Sequence, residues 1–332
     1  MTEPHTRKAA ILVRGITAEC GQRAQGFVTI GESASGPIQF PLVIINGVED
    51  GPTLCLTSGV HATEYAPIDA VMRIVQAIDP TKLRGAVIAV PVVNMRMFDS
   101  RTGFVSPFDG LNLNKVAPGR PDGTISEILA KTLLDEVIGR AAYHIDLHAG
   151  DLGEMLLPFA GYALIGKREL DEQGEALARL YSPRLISLAD SSGKIPPFAD
   201  GLCHAATRRG VVSIFAESGG NGTLEEADVA VHVDGVTNVM RYLRMIDGAP
   251  PAVGPRVAAR DRKVVRATRA GLLRLRVKIG DDVVAGQEVA EVCNVFGEVV
   301  ETVRSSGDGI AGLVWAHKVV NTGDPIVRYW IV

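Results

Sequence analysis

Pro52-Thr-Leu-Cys-Leu-Thr-Ser-Gly59 is a short, nearly continuous apolar segment, and a helical pattern follows it from Glu64 to Ile78. Segments of this kind are typical of strands that are buried on both faces. Four further segments have the same character, namely Pro41–Asn46, Ala86–Asn94, Tyr143–His148 and Val211–Ser218. Helical patterns near residues 124–138, 167–181 and 223–245 alternate with them, so the sequence predicts an α/β layered fold with a mainly parallel sheet.

The regions on either side of this pattern differ from it in composition. Residues 1–40 alternate apolar and polar side chains and contain turn residues, which predicts an N-terminal β segment. Residues 248–256 are rich in proline and glycine and are predicted to be a linker. Beyond them the helical period disappears, so we expect an α/β domain at 41–247 and a small all-β domain at 257–332.

Composition excludes several classes of function. The formal net charge of −4 argues against a nucleic-acid partner, although residues 256–278 form a basic stretch. No apolar segment approaches the roughly 20 residues of a membrane-spanning helix, and no signal-peptide core precedes the first strand. The 4 cysteines are scattered without a paired motif, which favours a reducing compartment. We therefore expect a cytoplasmic protein without a membrane partner.

Two polar clusters at predicted strand ends indicate a metal site. His61 and Glu64 lie three residues apart where a helix begins, so their side chains share a face. His148 ends another apolar strand, and Asp146 lies on the same face, where it can orient a neighbouring group by a hydrogen bond. Two histidines and one carboxylate are a usual ligand set for catalytic zinc, which keeps one position open for water.

A third cluster adds an acid. Glu217 closes the strand segment Phe215-Ala-Glu217 just before a glycine turn. A carboxylate at that place can take a proton from a water molecule and return it to a leaving nitrogen. If the strands are parallel, their carboxyl ends bring all three clusters to one edge of the sheet.

Each of these residues also has a purely structural interpretation. A histidine three residues before a glutamate is a common chance pattern. His148 can be a hydrogen-bonded core residue, and Glu217 can interact with the N-terminus of the next helix. The joint occurrence of the clusters at the ends of buried strands favours the metal site.

Four motifs in order resemble the succinylglutamate desuccinylase and aspartoacylase family of zinc deacylases over about residues 40–245. They are SGVHATEYAPIDAV at 58–71, DGLNLNKVAPGRPDG at 109–123, HIDLHAG at 144–150 and FAESGG at 215–220. The resemblance implies a carboxypeptidase A-like α/β/α sandwich with a mixed, mainly parallel sheet, followed by a smaller β domain. Length and the GRPDGT stretch are most similar to the bacterial group that includes N-acetyl-diaminobutyrate deacetylases.

The same resemblance implies roles for individual residues. It implies one Zn²⁺ per chain, held by His61, Glu64 and His148, with Glu217 as the catalytic acid. Asn112 and Asn114 are implied to bind substrate, and Arg101 to polarise the scissile carbonyl or to bind a carboxylate. Lys115 stands where the family usually has arginine; it stays cationic but binds as a point charge rather than as a planar fork.

The C-terminal region resembles a second kind of domain. A weak repeat relates residues 265–272 to residues 303–310, as in the two halves of a biotinyl or lipoyl barrel sandwich. The lysine that such carriers modify is missing, because the corresponding turn reads Arg304-Ser-Ser-Gly-Asp-Gly309. We therefore interpret residues 257–332 as a structural domain, and the resemblance to the deacylase family implies that it restricts access to the site.

These observations together predict a zinc-dependent amidohydrolase that removes an acyl group from a small N-acyl amino acid or a related amide. One alternative is a zinc carboxypeptidase or an esterase that uses the same metal site. Another is a non-catalytic binding module, in which the basic stretch recruits an acidic partner. Assembly of the chain into a homo-oligomer stays open.

Overall fold

The computed structural model describes residues 8–181, 185–190, 201–253, 257–259 and 261–332. Residues 1–7 of the predicted N-terminal segment and 254–256 of the predicted linker lie outside this part. The strands before residue 200 are β1 Ile11–Val13, β2 Ile16–Ala18, β3 Gln22–Ser33, β4 Gly36–Asn46, β5 Glu49–Ser58, β6 Arg84–Val90, β7 Tyr143–His148, β8 Glu154–Leu164 and β9 Leu185–Asp190. Those after it are β10 Val212–Gly220, β11 Val257–Ala259, β12 Asp261–Arg266, β13 Gly271–Leu275, β14 Asp282–Val283, β15 Glu288–Cys293, β16 Val299–Arg304, β17 Gly309–Trp315, β18 Val319–Val320 and β19 Pro325–Ile331.

The helices lie between the central strands. They are α1 Tyr65–Ala77, α2 Met95–Ser100, α3 Leu113–Val116, α4 Ile125–Thr132, α5 Arg168–Tyr181, α6 Leu202–Arg208 and α7 Glu226–Tyr242. A π-helical turn at Leu133–Val137 and a 3₁₀ turn at Ile138–Arg140 continue α4. The four predicted helical stretches therefore correspond to α1, α4 with its two turns, α5 and α7. None of the helices in the described part has the length and apolar character needed to cross a membrane.

The main sheet is mixed. Within the described residues its order is β12-β19-β17-β8-β10-β7-β5-β6-β4-β3, with β9 beside β8 and β11 beside β9. The central strands β6, β5, β7 and β10 pair in parallel, whereas β4 and β8 add antiparallel strands on either side. The prediction of a mixed α/β fold is confirmed, and parallel pairing dominates its centre.

Helices cover both faces of this sheet because the central strands alternate their apolar side chains between two cores. Leu54 and Leu56 of β5 pack with residues of α1, α5 and α7, whereas Cys55 packs with residues of α4 and α6. Burial on both faces explains why β5 reads as a continuous apolar run in the sequence.

The C-terminal region forms an antiparallel sheet and also extends the main sheet. Strands β16, β15, β13 and β18 make the antiparallel sheet. Strand β17 pairs with β8, with Leu313 opposite Leu156, and β19 pairs with β17. The strands that follow the predicted linker are therefore hydrogen-bonded to the α/β part, which fixes their position beside β8.

Candidate functional site

The predicted metal residues lie where β5 and β7 end. Gly59 turns the chain after β5 at φ +66°, where a Cβ would contact the backbone of Val92 at 3.1 Å. His61 follows this turn, and Glu64 is the residue before the first turn of α1. His148 is the last residue of β7. All three side chains are buried.

The two histidines contact the same carboxylate. Nδ1 of His61 lies 2.8 Å from Oε1 of Glu64, and Nδ1 of His148 lies 3.0 Å from Oε2 of the same residue. The candidate ligand atoms of these three residues all lie within 4.8 Å of one another. The structure thus brings the predicted ligands together, and this cluster has the composition to hold a metal ion.

The contacts of the outward-facing ring nitrogens, Nε2 of His61 and His148, indicate which tautomer of each histidine suits a metal site. Nε2 of His61 lies 3.2 Å from Oδ1 of Asn112, and Nε2 of His148 lies 3.2 Å from Oδ2 of Asp146. Both oxygens accept hydrogen bonds, so each Nε2 can donate outwards, and the Asn114 amide nitrogen also lies 3.4 Å from Nε2 of His148. With a metal ion bound, a proton on Nε2 would leave the Nδ1 lone pair of each ring for the ion. Ligands held in this way by an outer hydrogen bond are typical of protein metal sites.

A buried chain of hydrogen bonds supports Asp146 from behind. The Thr57 hydroxyl donates to Oδ1 of Asp146 at 2.6 Å, and it also contacts Nε2 of His144 at 2.8 Å. Nδ1 of His144 in turn contacts the Ser213 hydroxyl at 2.8 Å. The chain fixes Asp146, and through it the ring of His148.

The cluster favours positive charge. Burial lowers the pKa of His148, but the neighbouring Asp146 and Glu64 outweigh burial and leave it well above the usual value. Burial raises the pKa of Glu64, but His61 and His148 more than reverse this shift. The carboxylates of Glu64 and Asp146 stabilise positive charge near the imidazoles, and a divalent cation can supply that charge. The donor set therefore fits a cation such as Zn²⁺.

Glu217 lies beside the cluster. It pairs in register with His148 across β10 and β7, and the pairing of β10 with β8 shifts just after Glu217. Its Oε2 atom is buried and has no hydrogen-bond partner among the described residues. Burial raises the pKa of Glu217 well above its usual value; His148 opposes this shift, and the carboxylates of Glu64 and Glu154 add to it. Glu217 can thus hold a proton.

A loop is anchored over the cluster by an acid that the sequence analysis missed. The buried carboxylate of Asp151 accepts hydrogen bonds from the Thr63 hydroxyl and from the backbone amide of Phe104. The Phe104 ring lies edge-on to His61, with ring centroids 5.6 Å apart. Part of the segment between α2 and α3 is therefore held directly against the candidate ligands.

The cluster opens into a cavity of about 1010 Å³, including the space at its mouth. Besides the three candidate ligands and Glu217, four further residues predicted from the sequence line it, namely Asn112, Asn114, Lys115 and Asp146. Arg101 follows α2, is exposed, and does not belong to the described residues that line the cavity. Its role stays a prediction.

The cavity is also lined by residues that the sequence analysis did not single out. Among them are four apolar and two charged residues, namely Phe159, Phe215, Leu313, Trp330, Glu154 and Arg328. Half of these come from the C-terminal strands β17 and β19. Only their alternation along a strand is visible in the sequence, and that pattern does not indicate which sheet face borders a cavity.

Comparisons with known proteins agree with this architecture. The sequence model of the succinylglutamate desuccinylase/aspartoacylase catalytic domain matches residues 50–243. An N-alpha-acetyl-L-2,4-diaminobutyric acid deacetylase from Halomonas elongata is 29% identical over 305 residues, which is 89% of this chain and 86% of that protein.

Solved structures share the fold over nearly the whole chain. The product-bound ectoine utilization protein EutE (DoeB) from Ruegeria pomeroyi has a TM-score of 0.83 at 22% identity, covering 93% of this chain and 95% of that one. A succinylglutamate desuccinylase/aspartoacylase from Rhodobacter sphaeroides has a TM-score of 0.81 at 24% identity, with the same coverage.

Proposed function

The chain belongs to the succinylglutamate desuccinylase/aspartoacylase family, and on that premise we propose that it is a zinc-dependent amidohydrolase that removes an acyl group from a small N-acyl amino acid or a related amide. One observation carries the proposal: both histidine Nδ1 atoms face the carboxylate of Glu64, and Oε2 of Glu217, which has no partner in the described part of the chain, is buried beside them. The deacetylase activity in the name of the Halomonas relative supports it.

His61, Glu64 and His148 would hold one Zn²⁺ per chain. When bound, zinc supplies Lewis acidity that polarises a carbonyl group and makes water more acidic. The protein contributes the fixed ring orientations, because Asn112 and Asp146 occupy the outer nitrogens of the two imidazoles.

Glu217 moves the proton in this proposal. It accepts a proton at Oε2 from the water that attacks the acyl carbon, and it then donates that proton to the departing nitrogen. The raised pKa of the buried carboxyl suits the second step, because a group that holds its proton firmly can deliver it inside a site closed to solvent.

Asn112, Asn114 and Lys115 line the cavity and are proposed to bind the substrate. The Asn114 side chain is itself held in place, because its Oδ1 accepts a hydrogen bond from the Leu202 amide at 3.2 Å. We propose that Arg101 polarises the scissile carbonyl. Because its side chain is exposed, this role requires the side chain to turn into the cavity when substrate binds.

We propose that residues 257–332 form a barrel-sandwich domain without a carrier lysine, separated by the 248–256 linker from the hydrolase domain at 41–247 and the β segment at 1–40. The contribution of Leu313 and Trp330 to the cavity wall supports a role in limiting substrate size.

The test is a zinc assay combined with a panel of N-acetyl, N-succinyl and N-formyl amino acids. N-acetyl-L-2,4-diaminobutyrate belongs in the panel because the Halomonas relative is named for it. We expect one zinc per chain, loss of activity with a chelator and recovery with added zinc. Glu217→Gln should lower kcat by about 10²- to 10⁴-fold and keep its zinc. Chelator-insensitive turnover, or faster cleavage of peptides or esters than of acyl amino acids, would contradict the proposal.

A further inference from the structure

The C-terminal strands close one side of the cavity. Arg328 and Trp330 lie two residues apart on β19, so their side chains leave the same face of the strand, and both line the cavity. Leu313 of β17 pairs in register with Arg328 on one side and with Leu156 of β8 on the other. Hydrogen-bonded strands therefore fix Arg328 relative to the metal cluster.

The guanidinium of Arg328 lacks a counter-ion within the described part of the chain. The residue is half-buried, and its side chain makes neither a hydrogen bond nor an ion pair with these residues. The charge of Arg328 acts to lower the pKa of Glu154, which also lines the cavity, but the two side chains do not form an ion pair. By contrast, Arg276, which follows β13, contacts Glu291 at 2.5 Å, and Arg304 of β16 contacts Glu288 at 2.7 Å.

We infer that Arg328 binds a carboxylate of the substrate, which rests on the proposed function. A guanidinium presents two parallel N–H donors that match the two oxygens of a carboxylate. Lys115, the other cation on the cavity wall, offers an ammonium point charge and not a planar fork. The fork of Arg328 is therefore the group suited to orient an acyl amino acid by its carboxylate.

Apolar neighbours make this contact strong. Trp330 is held rigid, because Arg262 stacks over its ring at 5.0 Å and the absence of a side chain at Gly312 leaves room for the indole. Trp330, Leu313 and Phe159 line the cavity near Arg328 with apolar surface. A charge pair in such surroundings is screened less than one in water.

The first experiment compares an acid with its amide. We would measure kcat/KM for the best substrate of the panel and for the same compound with its α-carboxylate converted to a carboxamide. Arg328→Gln should lower kcat/KM for the acid about 100-fold, mainly through KM, and leave the carboxamide nearly unchanged. Arg328→Lys should recover part of the loss. Arg266→Gln, which removes an exposed charge from the adjacent strand β12, should behave as wild type.

A second experiment does not depend on turnover. N-acetyl-L-leucine and N-acetyl-L-leucinamide would be titrated calorimetrically into zinc-loaded Glu217→Gln protein, with and without Arg328→Gln. Tighter binding of the acid that disappears with Arg328→Gln supports the inference even if no compound of the panel is hydrolysed, which would defeat only the proposed function. Equal binding of acid and amide, including no measurable binding of either, would overturn the inference. In the first experiment, the contradicting result is an equal loss of activity on the acid and on the carboxamide in Arg328→Gln protein that unfolds at the wild-type temperature.

Discussion

Oδ2 of Asp146 lies 3.2 Å from Nε2 of His148, on the ring nitrogen that does not face Glu64. If Nε2 donates to Asp146, Nδ1 of His148 is the nitrogen left to bind a metal ion. Replacing Asp146 by alanine should lower zinc affinity about 10- to 100-fold, because the ring loses its fixed orientation and part of its basicity. Competition with a chelating dye measures the change. Asp99→Asn, at an exposed position of α2, is the control, and unchanged affinity in Asp146→Ala would contradict the assigned tautomer.

Thr57→Val tests the buried network behind Asp146. The hydroxyl donates to Asp146 and contacts His144, so its loss leaves buried polar atoms without a partner. We expect the free energy of unfolding to fall by about 1–3 kcal/mol in urea denaturation. Thr53→Val makes the same change on the same face of β5, where the side chain is half-buried. Equal loss in both variants would mean that the network adds nothing to stability.

We expect the carboxylate of Asp109 to contribute to stability in a pH-dependent way. Burial raises its pKa, but hydrogen bonds from the amide and hydroxyl of Ser126 at the start of α4 outweigh burial and leave the pKa below its usual value. A lowered folded-state pKa stabilises the protein above the unfolded value of roughly 4, and the stabilisation disappears as pH falls through the folded value.

Asp109→Asn should therefore lower the free energy of unfolding by about 1 kcal/mol at pH 7. Below pH ~4 the variant and the wild type should converge, because the wild-type carboxyl becomes protonated. Urea denaturation at several pH values measures both. A difference that stays constant down to pH 3 would show that the charge of Asp109 is not involved.

Gly312→Ala tests the packing of the cavity wall. A Cβ at this position would overlap the indole of Trp330, so the ring has to move. We expect a loss of about 1–3 kcal/mol in stability and a higher KM, because Trp330 lines the cavity. Gly307→Ala is the matched control, since its Cβ would approach only the flexible end of Lys263. Wild-type KM in Gly312→Ala would show that Trp330 does not shape the substrate site.

The central part of the fold was predictable from the sequence because its determinants are local. Strand β5 reads as a continuous apolar run, since Leu54 and Cys55 are buried in different cores. His61 and His148 lie at or just after the ends of such runs. The predicted strand ends alone therefore indicated that the two side chains lie close together. Their meeting is observed, whereas their role as ligands stays a prediction.

The cavity wall from the C-terminal region was not predictable in the same way. Arg328 reaches the cavity only because β19 pairs with β17 and β17 with β8. The pairing of β17 with β8 places Leu313 opposite Leu156, more than 150 positions earlier, and no local pattern encodes it. Asp151 was missed for a similar reason, because its partner Phe104 lies in a stretch without regular periodicity.

Anomalous diffraction at the zinc edge, from crystals grown with zinc, tests the central claim most directly. The account predicts one strong peak per chain, at about 2.0–2.2 Å from Nδ1 of His61, Nδ1 of His148 and a carboxylate oxygen of Glu64. A zinc peak elsewhere in the chain, or none at these three residues in protein that hydrolyses its substrate, would contradict it.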